Sequence, residues 1–392
     1  MKILLTSDMY TSQINGVSAS IITLKNELEK KGHEVRVLSL STDGKSHIEN
    51  NDYLFGSYPV IFYPGVRQTL KYKDPMIKQI VDWNPDIIHL QTEFSTCKIG
   101  KKIAKLCNCP YITTCHTFWE EYSGYIGLGK KLGRVVAKKI VRKYNKGSKA
   151  IIIPTEKMRS VLERYNIAGN ILAIPSGIDI DRFSKEFSEK EKNKLKEELN
   201  IDKNAKILVS VGRIAKEKNI DELLSYLPSL IEKDENIVFV IGGGGPYQKK
   251  LESKVKKLSL EKYVRFTGMI KPKNTYKYFK LGDIFICASQ TETQGITYIE
   301  SMASGTPLVC RYDKCLDGVV KDGYNGFMYN TKEEYVDYIF EMFNNKTLYK
   351  KLKKNVLVTA KEFSKEKFGE RIENLYLSVI NDYKKGSVES EG

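Results

Sequence analysis

The sequence predicts an α/β protein built from two successive doubly wound domains and closed by a helical C-terminal segment. Short apolar runs alternate with amphipathic helical patterns from Lys2 to Ile174, the rhythm of parallel strands joined by crossover helices. An almost wholly polar stretch, 184–204 (SKEFSEKEKNKLKEELNIDKN), interrupts it, and a second alternating series starts at Ile207. Domains are therefore expected at 1–183 and 205–365, with 184–204 as a linker and a helix in 366–392 that returns to the first domain before a tail.

Each element follows from local pattern. Strands are expected at Lys2 to Thr6, Glu34 to Leu40, Val60 to Phe62, Ile87 to Leu90, Tyr111 to Thr114, Ile151 to Pro154 and Ile171 to Ile174. Helices fall between them at Ala19 to Lys31, Asp74 to Trp83 and Gly100 to Cys107. In the second series the strands are Ile207 to Val211, Ile237 to Ile241, Val264 to Thr267, Ile284 to Ala288 and Pro307 to Cys310, and after Tyr329 the pattern is helical. Helices are expected there at Asp221 to Glu232, Tyr247 to Leu258 and Thr275 to Leu281. Ligands of such folds bind beyond the carboxyl ends of the strands.

Composition narrows the function. At 392 residues the chain can bury a sizeable core. No apolar run reaches the roughly 18 residues of a membrane span, and the start MKILLTSD turns polar too early for a secretory signal. A cytoplasmic location is expected. The seven cysteines form no pair of CxxC knuckles, so they read as reduced thiols and no metal is expected. A net charge of +16 implies an anionic partner: a phosphorylated substrate, an anionic bilayer or nucleic acid.

The stretch LGDIFICASQTETQGITYIESMASG, 281–305, carries the densest chemistry. A buried strand runs into a turn holding Glu292, and Gly295 lets the backbone approach a ligand. The amides of Ile296 and Thr297 then open a helix N-terminus, where the dipole favours phosphate. Glu300 follows about one turn inside. Two carboxylates bracketing a phosphate cradle suit a sugar nucleotide, since each accepts hydrogen bonds from hydroxyls. A capping acid and a solvated acid are the alternative.

Other motifs surround it. Gly242 to Gly245 follow a strand, yet Tyr247 and Gln248 stand where a dinucleotide fingerprint needs glycine, so Gly243 and Gly244 read as a phosphate-facing loop or a bare turn. Gly44-Lys45-Ser46 lacks the earlier glycine of a P-loop. Arg213 and Lys218 sit beyond a strand end, where two cations stabilise a leaving diphosphate or form a plain basic loop. His116 likewise follows a strand and can meet a sugar hydroxyl or sit satisfied in the core. The tail Phe118, Trp119, Glu120, Glu121 and Tyr122 suits a polar group with an apolar body.

From Leu128 to Lys149 apolar residues recur at helical spacing: Leu128, Leu132, Val135, Val136, Ile140 and Tyr144. Lys130, Lys131, Arg134, Lys138, Lys139, Arg142 and Lys143 lie between them, with no acid from Tyr122 to Thr155. This reads as a helix lying on anionic lipid, or as a core-facing helix with a solvated basic face. Nucleic acid is the weaker reading and is not expected as a partner, because no nucleic-acid module accompanies the cluster.

Taken in order, Asn15-Gly16, His116, PSGID at Pro175 to Asp179, Gly212-Arg213 with Lys218, Gly242 to Pro246 and TETQGITYIE resemble the retaining glycosyltransferases of family four. QTEFS at Gln91 to Ser95, HTFWEEY at His116 to Tyr122 and DKCLDGVVKDGYNG at Asp313 to Gly326 are similar to its diacylglycerol glucosyltransferase branch. Thr293-Gln294-Gly295 agrees with that branch, and Phe118-Trp119 departs from it. The resemblance implies a GT-B architecture of two facing Rossmann-like domains and transfer of a hexose, glucose from UDP-glucose, to diacylglycerol at the inner face of the cell membrane. A soluble or polyprenyl-linked acceptor is the sister reading, and a non-catalytic nucleotide-sugar or nucleic-acid binding protein the remote one.

The same resemblance implies roles. His116 contacts the sugar near the reacting carbon, Arg213 and Lys218 neutralise the leaving diphosphate, and Glu292 holds sugar hydroxyls. Gly16, Gly243, Gly244, Ile296 and Thr297 serve the diphosphate, and Glu300 the ribose. Glu93, Phe118, Trp119, Glu120 and Tyr122 would take the acceptor. No cofactor and no metal are implied, two basic side chains standing in for a cation.

Overall fold

The computed structural model describes residues 1–10, 16–60, 67–117 and 130–389, with backbone alone for 130, 131 and 387–389. The chain divides into two compact units, Met1–Gly177 with Lys365–Gly392, and Ile178–Ser364. Each is built on its own sheet, wholly parallel in the second unit and parallel but for one edge strand in the first.

In the first unit the strands are β1 (Lys2–Thr6), β2 (Glu34–Leu40), β3 (His47–Glu49), β4 (Asp52–Phe55), β5 (Tyr58–Pro59), β6 (Arg67–Gln68), β7 (Ile87–Leu90), β8 (Tyr111–Thr114), β9 (Ile151–Ile153) and β10 (Ile171–Ala173). Eight of them pair in the order β10-β9-β8-β7-β1-β2-β4-β3, and β5 pairs with β6 apart from the sheet. The order reverses at β1, between β7 and β2. Short runs of Ile, Leu and Val make strands here because helices cover both faces, so no position need be polar. The strand expected from Val60 falls largely outside the described residues. β3 and β4 were not expected; they form an antiparallel hairpin turning at Asn50 and Asn51, both with positive φ (48° and 67°), the conformation that a two-residue hairpin turn demands.

The helix Gly16–Lys30 buries Ile21, Leu24 and Leu28. Against them lies the C-terminal helix Lys365–Glu389, through Phe368, Ile372, Leu375, Tyr376, Val379 and Ile380. Glu373 fixes its register, 2.7 Å from the Lys31 ammonium and 2.8 Å from His33 Nε2. The last helix therefore belongs to the first unit.

The second unit carries β11 (Lys206–Val211), β12 (Ile237–Gly242), β13 (Val264–Phe266), β14 (Ile284–Cys287), β15 (Leu308–Arg311) and β16 (Gly326–Tyr329). Their order, β13-β12-β11-β14-β15-β16, is the doubly wound arrangement with its reversal between β11 and β14. β16 is one strand more than the pattern announced. The stretch expected as a linker is folded into this unit: Ser188 and Glu191 make a capping box for the helix Glu189–Glu198, and Leu195 and Ile201 join the core.

Truncating Ile372, which is fully enclosed, is expected to cost about 2–5 kcal/mol through lost burial and a residual cavity. Urea unfolding of Ile372→Ala checks this; an unshifted midpoint would remove the C-terminal helix from the first unit's core.

Candidate active site

At the reversal of the second sheet, the loop after β11 meets the loop after β14. The first carries Gly212, Arg213 and Lys218; the second carries Ser289, Glu292 and Gly295. Lys218 Nζ and Glu292 Oε1 form a close, partly buried ion pair. Ser289 Oγ donates to the same Glu292 oxygen at 2.8 Å and lies 3.4 Å from the Glu217 carbonyl, while Asn219 Nδ2 reaches the Ala288 carbonyl at 3.5 Å. Burial works against the Lys218 ammonium, but the Glu292 carboxylate outweighs it and holds the pKa above the ordinary lysine value. The lysine stays charged.

Glu292 is followed by Gly295 in the left-handed region (φ 68°), and a Cβ there would lie 2.3 Å from the Tyr298 ring. Only glycine makes that turn cheaply. The helix Ile296–Ala303 begins immediately after it. The Tyr298 N–H returns to the Gly295 carbonyl at 3.0 Å, and the N–H groups of Ile296 and Thr297 precede any intrahelical acceptor. A positive helix end, a lysine and a carboxylate thus gather beyond the carboxyl ends of β11 and β14. Gly243 and Gly244 extend it from β12. At Gly243 (φ 123°) a Cβ would sit 2.0 Å from the Gly212 carbonyl oxygen, so the loops after β11 and β12 touch backbone to backbone.

Arg213 is largely exposed and pairs with Glu217, on its own loop. It is not joined to Glu292. Glu300 is half-buried, and the protein around it pushes its carboxyl up to about 7 despite the Arg182 cation. Arg182 was not singled out in the sequence. Its guanidinium stacks 4.8 Å from the Phe183 ring and donates to Thr275 Oγ1 at 3.0 Å.

In the first unit, His116 follows β8 and sits half-buried, with Nε2 2.7 Å from Gln91 Oε1. Burial pushes its pKa down to about 4, so the ring is neutral. Gln91, Thr92 and Glu93 follow β7, and the buried Asp8 follows β1. Asp8 accepts from Thr92 Oγ1 at 2.7 Å and from the Thr96 N–H at 3.0 Å, substituting for a cap that Phe94 cannot give the helix Ser95–Cys107. Glu93 is half-buried. Gly16 is the first residue of the helix Gly16–Lys30. Asn15, Phe118, Trp119, Glu120, Tyr122 and Leu128, and the side chains of Lys130 and Lys131, lie outside the described residues.

The basic helix is Lys130–Asn145. It turns Ala137, Val141 and Tyr144 into the core, and Tyr144 Oη donates to the carbonyls of Leu90 and Thr114. Its C-terminal end is tied by Lys101 Nζ to the Lys143 and Lys146 carbonyls, 2.9 and 3.0 Å away. Tyr144, one of the recurring apolar residues of this helix, is therefore a core residue, on the packed stripe with Ala137 and Val141. Leu132 and Val135 are 55% and 65% exposed, beside exposed Arg134, Lys139, Arg142 and Lys143; Lys138 is half-buried. A second acid-free helix, Lys346–Lys361, exposes six lysines with Leu357 and Val358. Sequence periodicity could have found it. Among the described residues no group of His, Cys, Asp or Glu could hold a metal, and no helix is long and apolar enough to cross a membrane.

These strand ends match known proteins. Residues 14–182 fit the model of Glycosyltransferase Family 4, and 191–357 that of Glycosyl transferases group 1. The alpha-monoglucosyldiacylglycerol synthase of Streptococcus pneumoniae is 33% identical, over 98% of this chain and 88% of that protein. That of Acholeplasma laidlawii is 32% identical, over 97% and 98%. This chain belongs to glycosyltransferase family four and is a hexosyltransferase. Among solved structures, Anabaena HepE in complex with UDP superposes with a TM-score of 0.74 at 16% identity, covering 96% of this chain and all of that one. The transferase thus has the GT-B fold, two Rossmann-like domains.

Glu300 gives the transferase a pH signature. Its pKa, raised from 4.5 to about 7, means the folded state holds a proton that the unfolded chain has lost. Its contribution is full below about 4.5 and fades as pH rises through about 7. Denaturant midpoints of the parent and Glu300→Gln, compared across that window, should show the parent losing stability relative to the variant as pH rises; parallel curves would contradict the assignment.

Proposed function

We propose that this enzyme transfers glucose from UDP-glucose, with retention, to the hydroxyl of 1,2-diacylglycerol, giving an α-glycolipid at the inner face of the cell membrane. The Lys218–Glu292 pair at the switch point of the second sheet carries the reading: it sets a charged ammonium and a hydroxyl-accepting carboxylate beside a helix N-terminus. That is the chemistry a sugar diphosphate requires at its two ends. The names of the two synthases support glucose and diacylglycerol as donor and acceptor.

The second unit holds the donor, with the diphosphate on the Ile296 and Thr297 amides, Lys218 beside it and Glu292 accepting from sugar hydroxyls. Glu300, as carboxylate, takes the ribose hydroxyls. Gly243, Gly244 and Gly16 allow backbone to approach the phosphates. Arg213 exchanges Glu217 for the leaving phosphate. The first unit takes the acceptor, near Glu93, and contributes His116 to the sugar. The acceptor hydroxyl attacks the anomeric carbon on the face that the phosphate leaves; the sugar–phosphate bond breaks, and the departing phosphate oxygen takes the hydroxyl proton. Lys218 and Arg213 stabilise the charge that develops, the part a metal plays elsewhere.

Lys218→Ala and Glu292→Ala should each lower kcat roughly a hundredfold or more, the usual loss for one well-placed transition-state contact. Radiolabelled transfer with and without EDTA tests this together with independence from metal. Parental turnover in either variant, or magnesium rescue of an EDTA-inactivated parent, would refute the scheme.

Membrane attachment rests on the helix Lys130–Asn145, whose exposed Leu132 and Val135 can enter the lipid interface while Lys139, Arg142 and Lys143 meet phosphates. Near such a surface each basic residue contributes on the order of 1 kcal/mol. Reversing Lys139, Arg142 and Lys143 to glutamate should therefore weaken sedimentation with anionic vesicles by about a hundredfold or more, leaving UDP binding intact. A variant that sediments like the parent would reduce the helix to a solvated core element.

A further inference from the structure

A buried polar chain in the first unit reaches His116 from behind. His89, on β7, places Nδ1 2.7 Å from the Tyr376 hydroxyl and 3.1 Å from Gln91 Nε2, and its Nε2 2.6 Å from Thr114 Oγ1. The other end of the Gln91 amide, Oε1, lies 2.7 Å from His116 Nε2. His89, Gln91, Thr114 and Tyr376 are all buried, so the contacts of His89 are shielded from water. Tyr376 stands on the C-terminal helix, 287 residues from His89 in sequence.

The polarity of an amide orders the chain. Gln91 Nε2 donates, so His89 Nδ1 carries a lone pair and accepts from both Gln91 and Tyr376. The His89 proton is then on Nε2 and goes to Thr114 Oγ1. Burial pushes the His89 pKa down to about 3, which keeps a second proton off the ring near neutral pH. Gln91 Oε1 can only accept, so His116 Nε2 must carry its proton and Nδ1 the lone pair.

We propose that Gln91 is a positioning residue: anchored through His89 to Tyr376 of the C-terminal helix, it fixes His116 as the Nε2–H tautomer and leaves Nδ1 as a hydrogen-bond acceptor. This rests on the reading that His116 meets the donor sugar. His116 then takes a hydrogen bond from a sugar hydroxyl instead of giving one, and its orientation depends on the C-terminal helix being docked on the first unit. The reversed amide would donate to His116 and place its proton on Nδ1, so the two polarities predict opposite tautomers.

Ring nitrogen NMR of the full-length protein labelled with 15N-histidine separates them. In the parent, His116 Nε2 should be protonated, with a slowly exchanging Nε2–H signal, and Nδ1 should be unprotonated. In Gln91→Met that proton signal should be lost to exchange, and kcat should fall about tenfold or more while KM for UDP-glucose changes by less than about twofold. Tyr376→Phe removes one oxygen from a packed ring and should move signal and kcat the same way, more weakly; it carries the test if Gln91→Met fails to bind UDP or to unfold cooperatively. A parent His116 protonated on Nδ1 overturns the proposal, as does a Gln91→Met or Tyr376→Phe enzyme with parental kcat and ring signals beside an inactive His116→Ala. Parental transfer by His116→Ala would instead overturn the role of His116 itself.

Discussion

The ion pair between Lys218 and Glu292 is the interaction on which the second unit's chemistry depends. Both groups are partly withdrawn from water, and the Glu292 carboxylate holds the Lys218 ammonium charged against the cost of that burial. The pair closes the two loops that leave the sheet where strand order reverses, and Ser289 and Asn219 stitch the same loops through backbone carbonyls. With those loops joined, the Gly295 turn can present the helix N-terminus next to the lysine. The helix N-terminus and the lysine thus form a positive edge that is already in place in the folded unit.

The first unit is arranged on a different principle, hydrogen bonding among neutral groups taken out of water. Asp8 sits at the reversal of its sheet, its charge disfavoured by burial and offset by bonds from Thr92 and the N–H groups of Phe94 and Thr96. Beside it, His89 and His116 are both kept neutral. The strand ends of the second unit therefore present fixed charge, while those of the first present oriented neutral donors and acceptors.

The excess of positive charge is unevenly spread. The helix Glu189–Glu198 balances lysines with glutamates and is capped by them, as a solvated helix should be. The helices Lys130–Asn145 and Lys346–Lys361 contain no acid at all and leave aliphatic side chains exposed among their lysines and arginines. That contrast, more than the net charge of +16, locates uncompensated positive charge on one helix of each unit.

By itself the sequence determined the two alternating series, the strands at Lys2, Ile207, Ile237 and Ile284, and the turn-and-helix around Glu292 and Gly295. Such features depend on residues within one turn or one strand of each other, and the period of apolar side chains records them directly. It also determined that His116, Lys218 and Glu292 each follow a strand. Only the tertiary structure decided that Lys218 pairs with Glu292, 74 residues away, whereas Arg213 pairs with Glu217. Only it made 184–204 part of the second unit's core, because buried Leu195 and Ile201, with partly buried Phe187 and Leu199, dock a stretch whose composition is otherwise polar. The chain from Tyr376 through His89 and Gln91 to His116 was illegible for the same reason. Hydrogen bonds between buried side chains far apart in sequence leave no periodicity, and their direction is set by which atoms the fold brings within 3 Å, the reach of a hydrogen bond.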